Sequence, residues 1–564
     1  MKKKKYGVIP CLILALTACF IDHSSAWADD LNARQTQSGS GEQARENRAA
    51  SKANRPPEET RSAPVRIQVS AWRITGNSVF ASETLLKILE PYLGEKSTLE
   101  QLQTQVDRIT AFYRDQGYLL ATAYLPEQNM TDSGEIVVHV VEAVWGAIAI
   151  NNQSQISDDV IAMHVSEVKT GTVVHRDMVE TAAIYLSELL GTHVQMNVQR
   201  GQSFGLSDLN IEVTAAQSMA GAFILDNSGN AYTGRNRLGL NQQFFNPLGR
   251  GDAVSIHVLT SGENLTSGRI AYETVWGRPA LSLGLAASKF DYQLGDSARS
   301  LMAGGSAQQA SVWAQYYFFR RLQANVKGRL QLDIFALNDR IEVTDTTTAK
   351  RISAYTLELL GDKADAGPGQ SSNTWMLGLH GGTTAFENAS AALADSSSAH
   401  IAGDYGFVTL KMQREQFLSP RMSWYAAFSG QWANTNLDGS QKFALGGPHS
   451  VRAYESGVLN GDSGQLWTLE WRYKPAMPTG WSADNLVQAR IFWDYGQLKV
   501  NQKPWTNAEN AFAISGLGWG FDWQFREGWR ASINMAWADA NMPTILVNAN
   551  ASRLGAWFEL RRAY

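Results

Sequence analysis

From about residue 216 to its C-terminus, this chain consists of short segments in which apolar and polar side chains alternate. The segment LWTLEWRYKP, residues 466–475, separates them into two faces, with Trp467, Leu469, Trp471 and Tyr473 on one and Thr468, Glu470 and Arg472 on the other. Strands of ~10 residues with this alternation, broken by Gly, Asn, Asp and Ser, are typical of outer-membrane barrels. After the N-terminal segment, no apolar run approaches the roughly 18 residues of a membrane-spanning helix. If the chain lies in a membrane, it must do so as a closed barrel.

The length of this region predicts the size of the barrel. About 350 residues, at roughly 20 to 24 for each strand and its loop, give about 16 antiparallel strands, and bacterial barrels have an even number. A soluble β-sandwich is the alternative, but it does not explain why so many of the 18 Trp and 18 Tyr lie in these strands. The last strand also ends on an aromatic residue, Tyr564. We therefore predict a transmembrane antiparallel β-barrel over residues 216–564.

The N-terminal segment has the features of a secretory signal peptide. Four lysines precede a short apolar run and then Ala26-Trp27-Ala28, a small-residue cleavage site. We predict a signal peptide over residues 1–28. The sequence LTAC also resembles a lipoprotein box, so lipidation at Cys19 is the alternative to cleavage after Ala28. The other cysteine of the chain, Cys11, lies here too, so the mature chain has no disulfide or catalytic thiol.

The charge of the mature chain argues against one class of partner. Cleavage removes four Lys and one Asp, which leaves 45 basic against 52 acidic residues and a net charge of −7. This balance gives no indication of binding to nucleic acid.

A linker and two small domains are predicted between the signal peptide and the barrel region. Residues 29–64 are rich in Ser, Gly, Gln, Arg and Glu, the composition of a flexible N-terminal segment or linker. Residues 65–143 predict a small α+β domain: VRIQVSAWRITG alternates like a strand, a helix follows, and LLATAYLPEQ and GEIVVHVVEA are further strands. The helix is predicted to begin with a capping box, Ser97 to Glu100, and to end at Gly117.

The same order of elements repeats over residues 144–215. AIAINN predicts a strand, SDDVIAMHV and HRDMVETAAIYLSELLG predict helices, and THVQMNVQRG and SDLNIEVTAA predict two more strands. Two consecutive β-α-α-β-β domains therefore precede the barrel.

In this order, the elements resemble the two-partner secretion transporters of the haemolysin-activator and filamentous-haemagglutinin type. The resemblance extends over nearly the whole mature chain and rests on ITGNSVF, FYRDQGYLLATAYLPEQ and GEIVVHVVEA in the first domain, AIYLSELLGTHVQMNVQRGQSFGLSDLNIEV in the second, and DNSGNAYTGRNRLGLNQQFFNPLGRGDAVSIHV at the start of the barrel. That family belongs to a superfamily of outer-membrane barrels with periplasmic POTRA domains. The resemblance implies that residues 65–143 and 144–215 are two POTRA domains, and that residues 29–64 plug the resting pore.

Two short motifs are the most diagnostic part of this resemblance. In the superfamily, a loop that folds into the lumen carries V-R-G-[FY], and its Arg meets the Asp of F-x-D-x-G on a neighbouring strand. Here the motifs stand as Val451-Arg452-Ala453-Tyr454 and Phe492-Trp493-Asp494-Tyr495-Gly496. Ala453 replaces the usual Gly and has less backbone freedom. The resemblance implies a lumenal site in which Arg452 meets Asp494, formed with the other motif residues Val451, Tyr454, Phe492 and Gly496.

The residues themselves support an inward direction for Asp494. Alternation in IFWDYGQ, residues 491–497, puts aromatic side chains on a face that suits lipid and Asp494 on the other face. A lipid-facing Asp is costly, and a lumenal one favours a cationic partner. Arg452 offers a planar donor fork that can bind a carboxylate through two hydrogen bonds. The alternative is that Arg452 lies in an exposed extracellular loop and Asp494 faces water.

No motif predicts catalysis, a cofactor or a metal site. GQSFG, residues 201–205, matches G-x-S-x-G, but it lies between two predicted strands rather than at a strand-to-helix turn, so we interpret it as a hairpin turn. The nine histidines are scattered without the paired spacing of metal ligands.

The resemblance implies a function as well. The protein would be an outer-membrane pore of a Gram-negative bacterium that receives an unfolded exoprotein from the periplasm and secretes it to the cell surface. Its partners would be a large secreted exoprotein of the adhesin, cytolysin or haem-acquisition type, outer-membrane lipid and periplasmic chaperones. The alternative is an assembly factor that inserts other outer-membrane proteins, although two POTRA-like units rather than a longer array argue against it.

Overall fold

The computed structural model describes residues 66–128, 134–262, 264–365, 369–478, 480, 485–525, 528–548 and 551–564. The predicted signal peptide, 1–28, and the predicted linker or plug, 29–64, lie outside these residues. In the described part of the chain, none of the helices has the length and apolar character needed to cross a membrane.

The first unit packs two helices against a three-stranded sheet. Its elements are β1 (Ile67–Gln68), β2 (Ala71–Thr75), α1 (Ser82–Leu89), β3 (Lys96–Ser97), α2 (Leu99–Asp115), β4 (Thr122–Tyr124) and β5 (Glu135–Val141). The sheet order is β2-β5-β4, with β5 parallel to β2 and antiparallel to β4. Leu102, Val106 and Ile109 recur at helical spacing on α2 and are fully buried, so this face holds the helix on the sheet.

The helix α2 begins one residue later than the sequence predicted. Its N-cap is Thr98, whose hydroxyl accepts a hydrogen bond from the N–H of Gln101, and the Gln101 side chain accepts one from the N–H of Thr98. The predicted box Ser97–Glu100 is wrong because the hydroxyl of Ser97 is buried and accepts from the side chain of Gln105. The predicted stop is confirmed: α2 ends at Asp115, and Gly117 has a φ of +94°.

The second unit has the same architecture. Its elements are β6 (Val144–Gln153), α3 (Asp158–His164), α4 (Arg176–Ser187), β7 (Thr192–Arg200) and β8 (Leu206–Ala215). The sheet order is β6-β8-β7, so β7 is an edge strand. This unit contacts two turns at one end of the barrel described below, which we call the near end. There the N–H of Ser157 donates to the carbonyl of Gly249, and the N–H of Leu322 donates to the carboxylate of Glu180, both over 2.9 Å.

The rest of the described chain forms a closed antiparallel barrel of sixteen strands, as predicted. They are β9 (Met219–Asp226), β10 (Arg237–Phe245), β11 (Ala253–Thr260), β12 (Leu265–Trp276), β13 (Arg278–Gln293), β14 (Ala303–Arg320), β15 (Ala324–Ile341), β16 (Thr346–Asp365), β17 (Ser371–Phe386), β18 (Gly403–Ser419), β19 (Met422–Ala433), β22 (Ser463–Tyr473), β23 (Leu486–Lys499), β24 (Ala511–Gln524), β25 (Trp529–Ala538) and β26 (Leu554–Ala563). The short strands β20 (Phe443–Leu445) and β21 (Leu459–Gly461) form a hairpin between β19 and β22. The helices α5 (Ala389–Ser396) and α6 (Thr544–Asn548) lie in loops at the far end of the barrel, opposite the end that contacts the second unit.

The alternation of side chains divides the barrel into an apolar outside and a polar inside. On β22, Trp467, Leu469 and Trp471 are exposed on the outer face, whereas Glu470 is buried inside. The predicted division of this segment into two faces is therefore confirmed. The barrel closes where β26 pairs with β9 over five residue pairs, whereas β15 and β16 pair over eighteen.

Candidate functional site

The site is built by the connection from β19 to β22, residues 434–462, which we call the inner loop. The hairpin β20–β21 carries the tip of this loop to the lumenal face of β22, β23 and β26. Gly446 and Gly447 have φ values of +95° and +110°, which glycine adopts readily and other residues do not. The N–H of Gly447 donates to the carbonyl of Tyr454 over 2.9 Å, so the tip is a compact turn.

Arg452, at the tip, binds Asp494 of β23 through two parallel hydrogen bonds. Its Nε and Nη2 donate to the two carboxylate oxygens, each over 2.8 Å, and its backbone N–H also donates to Oδ2 over 3.1 Å. Asp494 is 0% exposed and Arg452 is 6% exposed. This is the planar, two-bond contact that the two motifs predicted, and it lies inside the lumen rather than in an exposed loop.

The other predicted site residues surround this pair. The guanidinium carbon of Arg452 lies 3.3 Å from the centre of the Phe492 ring, close enough for a cation–π contact. Val451 and Tyr454 are buried in the apolar cluster under the tip. Gly496 leaves room for the loop, because a Cβ there would lie 2.5 Å from the side chain of Leu445. The structure therefore brings all six predicted residues together.

Three further residues hold the tip and were not among the predicted ones. Nη1 of Arg452 donates to Glu470 over 2.6 Å, and the hydroxyl of Thr468 donates to Asp494 over 3.0 Å. The indole Nε1 of Trp557, on the closing strand β26, donates to the backbone carbonyl of Arg452 over 2.7 Å. The alternation in LWTLEWRYKP already placed Thr468 and Glu470 on the polar face, but no sequence pattern connects Trp557 to the tip.

The charges continue along the lumen from the tip. Arg472 donates from Nε to Glu470 over 2.8 Å and from Nη1 to Glu415 of β18 over 3.0 Å. Arg452 and Arg472 thus share Glu470, so each buried charge in the row has at least one opposite neighbour. A row of this kind satisfies charges that would be costly if left alone.

Comparison with known proteins identifies the chain. Residues 205–522 match the family described as haemolysin secretion/activation protein ShlB/FhaC/HecB. The chain belongs to this family. Residues 67–143 match the ShlB-type POTRA domain.

Individual relatives agree with this assignment. The heme/hemopexin transporter protein HuxB of Haemophilus influenzae (strain 86-028NP) is 24% identical over 477 residues, which is 82% of this chain and 81% of the relative. The outer membrane transporter CdiB of Dickeya dadantii (strain 3937) is 21% identical over 84% of this chain and 86% of its own. The solved structure of CdiB from Escherichia coli has the same fold, with a TM-score of 0.69 and 17% identity over 91% of this chain and 93% of that one.

Family membership fixes the orientation of the molecule. The barrel lies in the outer membrane with its POTRA units in the periplasm, so the far end, which carries α5 and α6, is extracellular. The inner loop therefore starts at the extracellular end and folds back into the lumen.

The departure from the family motif at Ala453 is accommodated by the neighbouring strand. Ala453 is fully buried and has no positive φ, so its backbone is not strained. Its methyl group faces Gly516 of β24, where an added Cβ would lie 2.5 Å from the Cβ of Ala453. A residue larger than Gly at 516 therefore conflicts with Ala453.

We expect Gly516→Ala to displace the tip and reduce secretion, because two methyl groups cannot occupy this contact. Ala453→Gly alone should be tolerated, since it restores the family residue. The double variant Gly516→Ala with Ala453→Gly should secrete more than Gly516→Ala. It should not recover fully, because the carbonyl oxygen of Trp537 would still lie 3.2 Å from the Cβ added at position 516. Surface delivery of the exoprotein measures all three, and equal secretion by Gly516→Ala and the double variant would contradict this account.

The other sequence motifs do not form a site. GQSFG connects the antiparallel strands β7 and β8, so it is the turn of a hairpin, as predicted. Among the described residues, no group of three or more His, Cys, Asp or Glu is arranged to hold a metal ion.

Proposed function

We propose that this protein secretes one large, unfolded exoprotein across the outer membrane through its barrel, in a two-partner system. The observation that carries the proposal is the match of residues 205–522 to the haemolysin secretion/activation family, on a closed barrel that follows two POTRA-type units. In this proposal residues 65–143 and 144–215 are the periplasmic domains, and residues 29–64 plug the resting pore. Arg452 and Asp494, with Val451, Tyr454, Phe492 and Gly496, fix the inner loop in the lumen during transport.

The exoprotein is proposed to be an adhesin, a cytolysin or a haem-acquisition protein. The similarity to a heme/hemopexin transporter favours the third class. Among the described residues, no strand pairs with the outer side of the edge strand β7, and an extended chain can add to such an edge through main-chain hydrogen bonds. Periplasmic chaperones would keep the exoprotein unfolded, and outer-membrane lipid would contact the apolar outer face of the barrel. We infer that the protein is not an enzyme, since transport by this route requires no covalent step.

Deletion of the protein tests this function against the alternative, an assembly factor. We expect cells without it to retain the candidate partner exoprotein, and a plasmid copy to restore surface delivery. The amounts of other outer-membrane barrels, measured in the same membranes, should be unchanged. A general loss of barrel proteins would instead support the assembly factor and overturn the proposal.

A further inference from the structure

The first part of the inner loop, residues 434–442, contacts a different wall of the barrel from the one that binds Arg452. Nζ of Lys350, near the extracellular end of β16, donates to Oδ2 of Asp438 over 2.5 Å. The two side chains are 3% and 1% exposed. Asp339 of β15 lies 3.9 Å from the same ammonium group. β16 is four strands away from β22 in the barrel order, so this contact is independent of the one at the tip.

An apolar contact lies beside this ion pair. Leu437, next to Asp438 in the chain, is 1% exposed. It packs into a cluster on the lumenal side of β15, β16 and β18, formed by Phe335, Leu337, Ile352, Tyr405 and Phe407. Burial of Leu437 holds the same stretch of loop on the same wall, because exposing it would return apolar surface to water.

The preceding residue, Asn436, joins three extracellular loops. Its side-chain amide donates to the carbonyl of Ala399, in the loop that carries α5, over 2.6 Å. It also donates to the carbonyl of Lys503 over 2.9 Å and accepts from the N–H of Lys503 over 2.7 Å, in the loop between β23 and β24. Residues 436–438 therefore lie where the loops over the outer end of the lumen meet.

Hydrogen bonds and an ion pair within the inner loop join its first residues to its last. Lys442 pairs with Asp462 over 2.6 Å, and Asp462 also accepts from the N–H of Leu437 over 3.1 Å. These bonds stiffen the loop, but they do not attach it to the wall of β15 and β16. That attachment depends on Lys350 and on the burial of Leu437.

We propose that Lys350 is a second anchor of the inner loop, and that its pair with Asp438 holds the extracellular end of the lumen closed. A loop fixed at its tip on β23 and at its base on β16 crosses the lumen and cannot turn about either point. Release of the base would let the extracellular half leave the wall of β15 and β16 while Arg452 stays on Asp494. The bonds of Asn436 to the neighbouring loops would then move with it or break. Lys350 is thus a positioning residue. Its consequence for secretion rests on the proposed function, whereas the closure of the extracellular end of the lumen by the inner loop does not.

The test uses the purified full-length protein in planar lipid bilayers and intact cells. Conductance reports how open the lumen is without any exoprotein, and all variants are compared with the proposed plug, residues 29–64, present. Labelling of the loop from outside does not depend on that segment. Gln441→Cys introduces a thiol at a buried loop position whose side-chain hydrogen bond to Ser440 is long, 3.4 Å. Labelling of that thiol by a membrane-impermeant maleimide reports exposure of the loop from outside, and the unsubstituted protein measures any background from Cys11 or Cys19.

Lys350→Met should raise the conductance and make the Gln441→Cys position react about tenfold faster or more, because it leaves Asp438 buried without its counter-ion. Lys363→Met is the matched control on the same strand: Lys363 is 66% exposed and pairs with Asp365 at the surface, so it should leave both readouts unchanged. The double variant Lys350→Met with Asp438→Asn should lie closer to the unsubstituted protein than Lys350→Met, because the fully buried carboxylate at position 438 is then replaced by a neutral amide and only the more exposed Asp339 loses its cation.

Asp438→Asn provides a milder variant if Lys350→Met does not insert. It keeps a side chain that can accept from Ser440, and it leaves Lys350 near Asp339, so the barrel should form. It should still raise conductance and labelling above the Lys363→Met level. Conductance and labelling equal to that control in both Lys350→Met and Asp438→Asn would overturn the second anchor. That result would leave the secretion function untouched, since deletion of the protein tests it separately.

Discussion

Arg452→Ala is expected to stop surface delivery of the exoprotein while the barrel still inserts into the outer membrane. The substitution removes the three hydrogen bonds of the guanidinium, two to Asp494 and one to Glu470, and it leaves the carboxylate of Asp494 buried without a cation that binds it. Breaking a buried pair by removing one partner costs about 3 to 5 kcal/mol, which is enough to shift the loop from almost always bound to mostly released. The sixteen paired strands do not depend on these bonds.

The measurement combines secretion with a test of the barrel. Surface exoprotein should fall about tenfold or more, as expected for a free-energy change of this size, while heat-modifiable gel mobility stays that of a folded barrel. Arg452→Lys is the informative conservative variant: it keeps the charge but cannot make the two-bond contact with Asp494, so it should secrete at an intermediate level. Normal secretion by Arg452→Ala with a folded barrel would show that the pair has no role in transport.

Asp494→Ala should be less damaging than Arg452→Ala, because Arg452 retains Glu470 at 2.6 Å. For the same reason an exchange of the two charges is a poor rescue. An Asp at the tip would lie against Glu470, and an Arg on β23 would have to fit where Asp494 is fully buried. We therefore expect little recovery from the exchange, and Glu470→Gln with Arg452 intact should secrete more than any of these variants.

The sequence allowed the barrel and the inward face of Asp494 to be predicted, because period-two alternation is a local property of a strand. The partners of Arg452 could be predicted only in part. Glu470 was on the correct face, but its distance from Arg452 depends on the register in which β22 pairs with β23, where Thr468 lies opposite Asp494. Lys350 and Asp438 are 88 residues apart, and Trp557 is 105 residues from Arg452. Contacts of this range are set by barrel closure and by the path of the inner loop, which no local pattern encodes.

Gly555→Ala is expected to disturb the tip without removing a charge. Gly555 lies on β26, and a Cβ there would be 2.0 Å from the backbone carbonyl oxygen of Arg452. That atom cannot rotate away as a flexible side chain would, so the tip itself must move. The same carbonyl accepts the hydrogen bond of Trp557, and displacement of the tip lengthens this bond and the bonds to Asp494.

Overpacking a buried contact costs about 1 to 3 kcal/mol, so Gly555→Ala should lower surface delivery by about fivefold or more while the barrel remains folded. Gly268→Ala on β12 is the matched control, since a Cβ at Gly268 meets no atom within 4 Å and the variant should secrete normally. Because Gly555→Ala leaves every charge in place, a defect like that of Arg452→Ala would show that transport requires the position of the tip and not only the charge of Arg452. If Gly555→Ala and Gly268→Ala secrete equally, the tip does not have to rest against β26, and its attachment to β23 alone would account for the effect of Arg452.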